Sequence, residues 1–243
     1  MFDQVIIEVT RRCNMSCLHC LRGEPQNINI SDNVLNNFLT LFKNQKINTI
    51  TISGGEPSIV PEKVSKIIHL IKINNIKINN IYLMTNGTNS TFIKTFRRKS
   101  NGVFDNIHIN KSSDPFHFEK RAFNSWLKNI DECLEYYKSK GYSLIKQGRA
   151  KNLNIKDDFN IGTFRLPWQK HSVIYLNCNG DIIRDAYFDY ETQNFKPLII
   201  CNINQIQRLR DFKSFCKKYK KTPGAQIETI EQLLAMQSIN SSV

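Results

Sequence analysis

Nowhere in these 243 residues is there an apolar run of the roughly 18 residues needed to cross a membrane as a helix. Glycine and proline are sparse as well, 10 and 7, and they fall as single turn markers without forming an interdomain linker. Acidic side chains are in deficit: 21 Asp and Glu stand against 34 Lys and Arg, leaving a net charge of +13. These absences exclude a helical membrane protein and remove any obvious hinge. The charge makes anionic partners the expected ones, because a long-range positive field draws them in. No repeat is visible beyond an alternation of strand and helix. Met1-Phe-Asp-Gln does not read as a signal peptide, and 7 cysteines, an odd number, do not make a disulfide framework. A reducing cytoplasm is the expected compartment.

What is present begins at Thr10-Arg-Arg-Cys-Asn-Met-Ser-Cys-Leu-His-Cys20. A [4Fe–4S] cluster ordinarily takes four thiolates, so Cys13, Cys17 and Cys20, with no fourth cysteine nearby, suggest a cluster that keeps one iron open for chemistry. A Cys3His zinc site using His19 is the competing reading. It is disfavoured because His19 lies between Cys17 and Cys20, where four side chains converge poorly on one small ion. The second motif closes an alternating run, Ile47-Asn-Thr-Ile-Thr-Ile-Ser-Gly-Gly-Glu-Pro57. Gly54 and Gly55 let backbone approach a ligand with no Cβ in the way, Glu56 offers an acceptor to an ammonium group, and Pro57 ends the turn. Alone, such a turn is also an ordinary strand exit.

Apolar runs and amphipathic segments alternate in a βα rhythm. Strands are expected near 3–9, 47–53, 80–85, 106–111, 142–147 and 173–178. Ser31 should cap a helix that carries Val34, Leu35, Phe38, Leu39 and Phe42, and Pro61 should open another with Val64, Ile67, Ile68 and Ile71. A third helix is expected across 119–139, then an irregular loop over 151–167. Ser172 to Arg184 alternates about Asn179-Gly180, a hairpin signal. A short helix is expected over 227–237. Basic residues concentrate in Lys94–Lys99 and Phe212–Lys221, where interleaved aromatics suit nucleic acid and equally suit a solvated amphipathic helix.

With both motifs in order, the chain resembles the radical S-adenosylmethionine (SAM) superfamily. The resemblance implies a partial (β/α)6 TIM-like barrel with a short C-terminal hairpin-plus-helix extension, divided here as a core at 1–165 and a last strand with extension at 166–243. It implies a [4Fe–4S] cluster on Cys13, Cys17 and Cys20, with SAM chelating the fourth iron. The turn Gly54-Gly55-Glu56-Pro57 would meet the SAM amino group, and His19 would pack near adenine. Thr85 and Asn86, in Ile81-Tyr-Leu-Met-Thr-Asn-Gly87, would border the SAM pocket. Ser112 and Asp114 match a Ser-x-Asp pattern near the ribose, although Asp114-Pro115 also starts turns. Arg149, in Gly148-Arg-Ala150, would pair with the SAM carboxylate through its planar fork, or else stand solvated.

The extension holds Cys178, Cys201 and Cys216, with no close pair, and an auxiliary cluster would need a further ligand such as Cys133. A second cluster is therefore not expected, and these cysteines read first as buried small hydrophobes. A functional alternative makes Cys178 or Cys201 a hydrogen-atom donor to a substrate radical. The implied activity is oxygen-sensitive reductive cleavage of SAM to a 5′-deoxyadenosyl radical, fed by a flavodoxin- or ferredoxin-like electron donor. The radical would take a hydrogen atom from a peptide or small metabolite. For a peptide, any leader-recognition domain would have to come from a separate partner, given how near Cys13 stands to the start. The runner-up is a nucleotide or RNA, favoured by the charge. A non-catalytic iron–sulfur or zinc module that binds nucleic acid is the alternative of another class.

Overall fold

The computed structural model describes residues 2–17, 20–111, 147–152, 173–183 and 188–219, with three helical positions at 132, 135 and 139. Four strands alternate with three helices: β1 (Phe2–Glu8), α1 (Asp32–Thr40), β2 (Lys46–Ser53), α2 (Pro61–Ile73), β3 (Lys77–Thr85), α3 (Ser90–Ser100) and β4 (Asn106–Lys111). Further along the chain come β5 (Val173–Leu176), β6 (Asp181–Ile183), β7 (Ile199–Asn202) and α4 (Leu209–Tyr219). The seven strands form one sheet in the order β4-β3-β2-β1-β5-β6-β7. Pairings from β4 through β1 to β5 are parallel, and those of β5 with β6 and β6 with β7 are antiparallel. Among the described residues this mixed, mostly parallel α/β sheet does not close.

The helices begin where the sequence marks them. Ser31 accepts a hydrogen bond from the Val34 amide at 3.2 Å, satisfying one orphan donor of α1. Pro61 sits in the first turn of α2, where its missing N–H costs nothing. Asn89 caps α3 through the Phe92 amide. The apolar stripes of these helices, including Leu35, Phe38, Val64, Ile67, Phe92 and Phe96, share one core with Phe42 of the turn after α1 and with Ile50, Ile52, Ile81 and Leu83 of the sheet. α4 adds Phe212 to the same core.

The hairpin forms where Asn179-Gly180 predicted it. Asn177 Oδ1 accepts from the amides of Asn179 and Asp181 at 3.0 and 2.9 Å, and Gly180 takes a φ of +84°. β5 lies beside β1, pairing Val5 with Ile174 and Ile7 with Leu176. β7 has no counterpart among the strands expected from the sequence. Of the strand expected at 142–147, only Gln147 is described. Most of the helix across 119–139, the 151–167 loop beyond Asn152 and the 227–237 helix fall outside the described residues.

Because side chains alternate along a strand, the residues facing away from α1–α3 form a second, inner face. Over β1, β5 and β6 it is filled by Ile6, Val173, Tyr175 and Ile183. Over β2, β3 and β4 it carries Thr49, Thr51, Asn80, Tyr82, Met84 and His108.

Candidate active site

The cysteine loop springs from the carboxyl end of β1 and returns against its own root. Arg11 donates its amide to the Ile28 carbonyl at 2.8 Å and Ile30 to that of Val9 at 3.0 Å. The Thr10 hydroxyl donates to Asn29 Oδ1 at 2.6 Å while accepting from the Arg12 amide at 3.0 Å. Cys13, Cys17 and Cys20 ride on this tied loop as half-buried thiols, none in a disulfide.

Two backbone contacts hold the loop from opposite ends. On one side the Gly54-Gly55-Glu56 turn donates its Gly55 amide to the Thr10 carbonyl at 2.7 Å and its Glu56 amide to that of Arg12 at 2.9 Å. A Cβ on Gly54 would lie 2.4 Å from the Thr10 carbonyl oxygen, and one on Gly55 2.2 Å from that of Arg12. The glycines are therefore required by contact between protein backbones, whatever ligand the turn also meets. On the other side Gly148, at φ +54°, is so close that a Cβ would lie 2.4 Å from the Gly23 amide and 2.5 Å from the Cys20 carbonyl oxygen. The next residue, Arg149, donates its amide to Cys20 at 3.0 Å, Nε to the Cys17 carbonyl at 2.8 Å and Nη1 to the Gly23 carbonyl at 2.9 Å. Nε and Nη1 of the guanidinium expected to pair with the SAM carboxylate bind the cysteine loop, and Nη1 also lies 3.4 Å from Glu24 Oε2.

Glu56 is likewise drawn inward. It is fully buried, and its carboxylate accepts from the Ser58 amide at 2.9 Å, the Thr85 hydroxyl at 2.7 Å and the Asn86 amide at 2.7 Å. It clasps the turn to the end of β3. Asn86 extends that link, donating Nδ2 to Asn14 Oδ1 at 2.8 Å, between the first two cysteines. Thr85 and Asn86 thus tie the end of β3 to the turn and to the cysteine loop.

Beneath lies a polar network that no local motif announces. Glu8 is fully buried; Oε1 accepts from Arg11 Nε at 2.8 Å and the Cys178 amide at 3.1 Å, and Oε2 from Gln193 Nε2 at 3.2 Å and the Tyr175 hydroxyl. Arg11 continues to Gln26 Oε1 at 3.0 Å and Gln193 Oε1 at 2.8 Å. Burial alone would raise the Glu8 pKa, but the charges of Arg11 and Arg22 and the hydrogen bonds from Arg11 and Tyr175 outweigh it and hold it low. Arg22 stacks over the Tyr175 ring, 4.9 Å from its centroid, and Arg11 over Tyr190 at 4.8 Å. The Tyr190 hydroxyl is buried without a hydrogen-bond partner among the described residues. The one sequence signal for this network was a carboxylate on the inner face of an otherwise apolar strand end.

Cys178 and Cys201, the candidate hydrogen donors, lie in the main apolar core at 5% and 4% exposure. The Cys178 thiol donates to the Glu8 carbonyl at 3.3 Å, and burial foremost pushes its pKa far up. His19, Ser112, Asp114 and Cys133 fall outside the described residues, and so does the side chain of Cys216.

Three thiols on a loop braced at both ends suit a cluster bound through three of its irons. Among the described residues, no three His, Cys, Asp or Glu side chains gather about a single-ion position. A cubane holds its cysteines on separate irons and needs them spread more widely than a tetrahedral zinc does. Burial foremost raises the Cys13 thiol, with the charges of Cys20 and Glu56 adding to it against a hydrogen bond from Met15.

A profile of the radical SAM superfamily matches residues 7–147. The chain is 25% identical over 162 residues to "GTP 3′,8-cyclase, mitochondrial" of Arabidopsis thaliana, covering 63% of this chain and 40% of the relative. It is 25% identical over 242 residues to "Molybdenum cofactor biosynthesis protein 1" of Homo sapiens, covering 90% of this chain and 35% of the relative. The chain thus spans two fifths or less of the length of these relatives. A solved structure, "Native anSMEcpe with bound AdoMet and Cp18Cys peptide", superimposes with a TM-score of 0.46 at 14% identity, over 96% of this chain and 83% of that one.

Proposed function

This chain belongs to the radical SAM superfamily, and from that premise we propose that it removes a hydrogen atom from a phosphorylated nucleoside of the GTP class. Membership makes it an enzyme that works with a [4Fe–4S] cluster and SAM, which sets aside the non-catalytic module. Between the remaining substrate readings, a peptide or small metabolite and a nucleotide, the observation that carries the second is similarity to proteins named GTP 3′,8-cyclase. The net charge of +13 supports it, because a polyphosphate is the partner such a field favours.

When bound, the cluster and SAM turn one electron from a flavodoxin- or ferredoxin-like donor into a group that takes a hydrogen atom from carbon. The chain's own part is to bind, orient and shield. Cys13, Cys17 and Cys20 would hold three irons. The turn at Gly54–Pro57 would present backbone carbonyls to the SAM amino group, since the Glu56 carboxylate already clasps β3. Thr85 and Asn86 would wall the pocket. Arg149 would act as a positioning residue, fixing the Cys17 and Gly23 carbonyls and through them the loop. His19 at the adenine and Ser112 with Asp114 at the ribose complete the proposed pocket.

The test is anaerobic reconstitution with iron and sulfide, followed by dithionite, SAM and GTP deuterated on its ribose and base carbons. Deuterium appearing in 5′-deoxyadenosine, with about four irons per chain, is the expected result. Deuterium-free 5′-deoxyadenosine with GTP intact would overturn the nucleotide assignment.

A further inference from the structure

Parallel strands covered on both faces read as nearly continuous apolar runs, and β2, β3 and β4 do not. They alternate, as in Thr49-Ile-Thr-Ile-Ser53, Asn80-Ile-Tyr-Leu-Met84 and Ile107-His-Ile109. Ile50, Ile52, Ile81 and Leu83 are fully buried toward the helices. On the opposite face Tyr82 is half-buried, Met84 is 37% exposed and His108 is exposed. The neighbouring half of that face, over β1 and β5, is filled by Tyr175, Ile6 and the Glu8 network. The open half is therefore a distinct wall, three residues below the Thr85 end of β3 and about 10 Å from it along the strand.

Two rings dominate this wall. Tyr82 and His108 are directly opposite in the β3–β4 register. They stack with centroids 4.3 Å apart and planes 12° from parallel. A stacked pair standing on a sheet presents a flat aromatic surface to a planar ligand, and its half-buried neighbours Thr49 and Asn80 supply hydroxyl and amide groups for the edge of a heterocycle, whereas the buried Thr51 hydroxyl accepts from Gln4 Nε2 at 3.1 Å. Among the described residues, the open half carries no carboxylate to repel phosphates.

Building on the nucleotide reading above, we propose that Tyr82 and His108 form the platform on which the purine base of the substrate stacks, making the inner face of β3 and β4 the substrate wall. Loss of one stacking ring weakens single-base binding by about tenfold or more.

The experiment measures dissociation constants for GTP and, separately, for SAM on the reconstituted enzyme under anaerobic conditions. Wild type is compared with Tyr82→Leu, His108→Ala, their double variant and Tyr82→Phe. GTP affinity should fall about tenfold or more in the double variant and in the single variant that deletes the ring the base lies on, and stay near wild type in Tyr82→Phe, while SAM affinity holds throughout and shows the variants to be folded. Unchanged GTP affinity in the double variant overturns the platform. So does a loss of SAM affinity in His108→Ala, which would assign the rings to the cofactor. A wild-type enzyme that binds no GTP removes the nucleotide reading itself, and the platform with it.

Discussion

At the scale of single residues, the site depends on places where one backbone touches another. Gly148→Ala places a Cβ 2.5 Å from the Cys20 and Leu21 carbonyl oxygens, far inside van der Waals contact, at a positive φ. We expect a loss of at least ~2 kcal/mol from the left-handed conformation and the clash together, read as a lower urea midpoint, and an iron content well below that of wild type after reconstitution. Glu8 makes a pH prediction. Its folded pKa is depressed from 4.5, so its contribution is fully present above that value and is lost as the pH falls through the folded value. Urea midpoints measured from pH 7 to pH 3 should drop through that acid window in the wild type. Glu8→Gln should start lower, by about 3–5 kcal/mol because Arg11 is left buried without its countercharge, and should lack that part of the acid slope. The cysteines and the Gly54–Pro57 turn were legible in the sequence because their chemistry is packed into short spacings. The Glu8, Arg11 and Gln193 cluster was not, since Arg11 and Gln193 stand 182 residues apart and leave no local pattern.

At the scale of elements, caps and apolar stripes placed α1 and α2 correctly because both signals are local. Ser31→Ala removes one cap bond and should cost about 1 kcal/mol, visible as a shift in thermal midpoint with no change in the iron bound per folded chain. The strand at 199–202 escaped notice because it is four residues long and gains its identity only by pairing with β6. The basic segment from 212 onward suits either nucleic acid or an amphipathic helix, and α4 is amphipathic: Phe212 is 1% exposed while Lys213, Lys217 and Lys218 face solvent. Where β5 would dock was also unreadable, since a short, fully buried run fits either side of a sheet equally well.

At the scale of the whole molecule, the charge excess should appear in kinetics. If the field steers a polyphosphate, the association rate for GTP falls steeply between low and physiological salt while dissociation changes little. Stopped-flow binding at two ionic strengths separates these; a salt-insensitive association rate would leave recognition to short-range contacts alone. Among the described residues no helix is long and apolar enough to cross a membrane.

The bracing of the cysteine loop by Gly148 and Arg149, and of its root by Gln193, also orders events in time. A ribosome delivers Cys13, Cys17 and Cys20 long before it delivers the residues that brace them. A nascent chain stopped short of Gly148 would expose all three thiols with half their seat missing. A chain truncated before Gly148 should therefore retain less iron after reconstitution than the full chain, because the contacts of Arg149 with Cys17, Cys20 and Gly23 are missing from it.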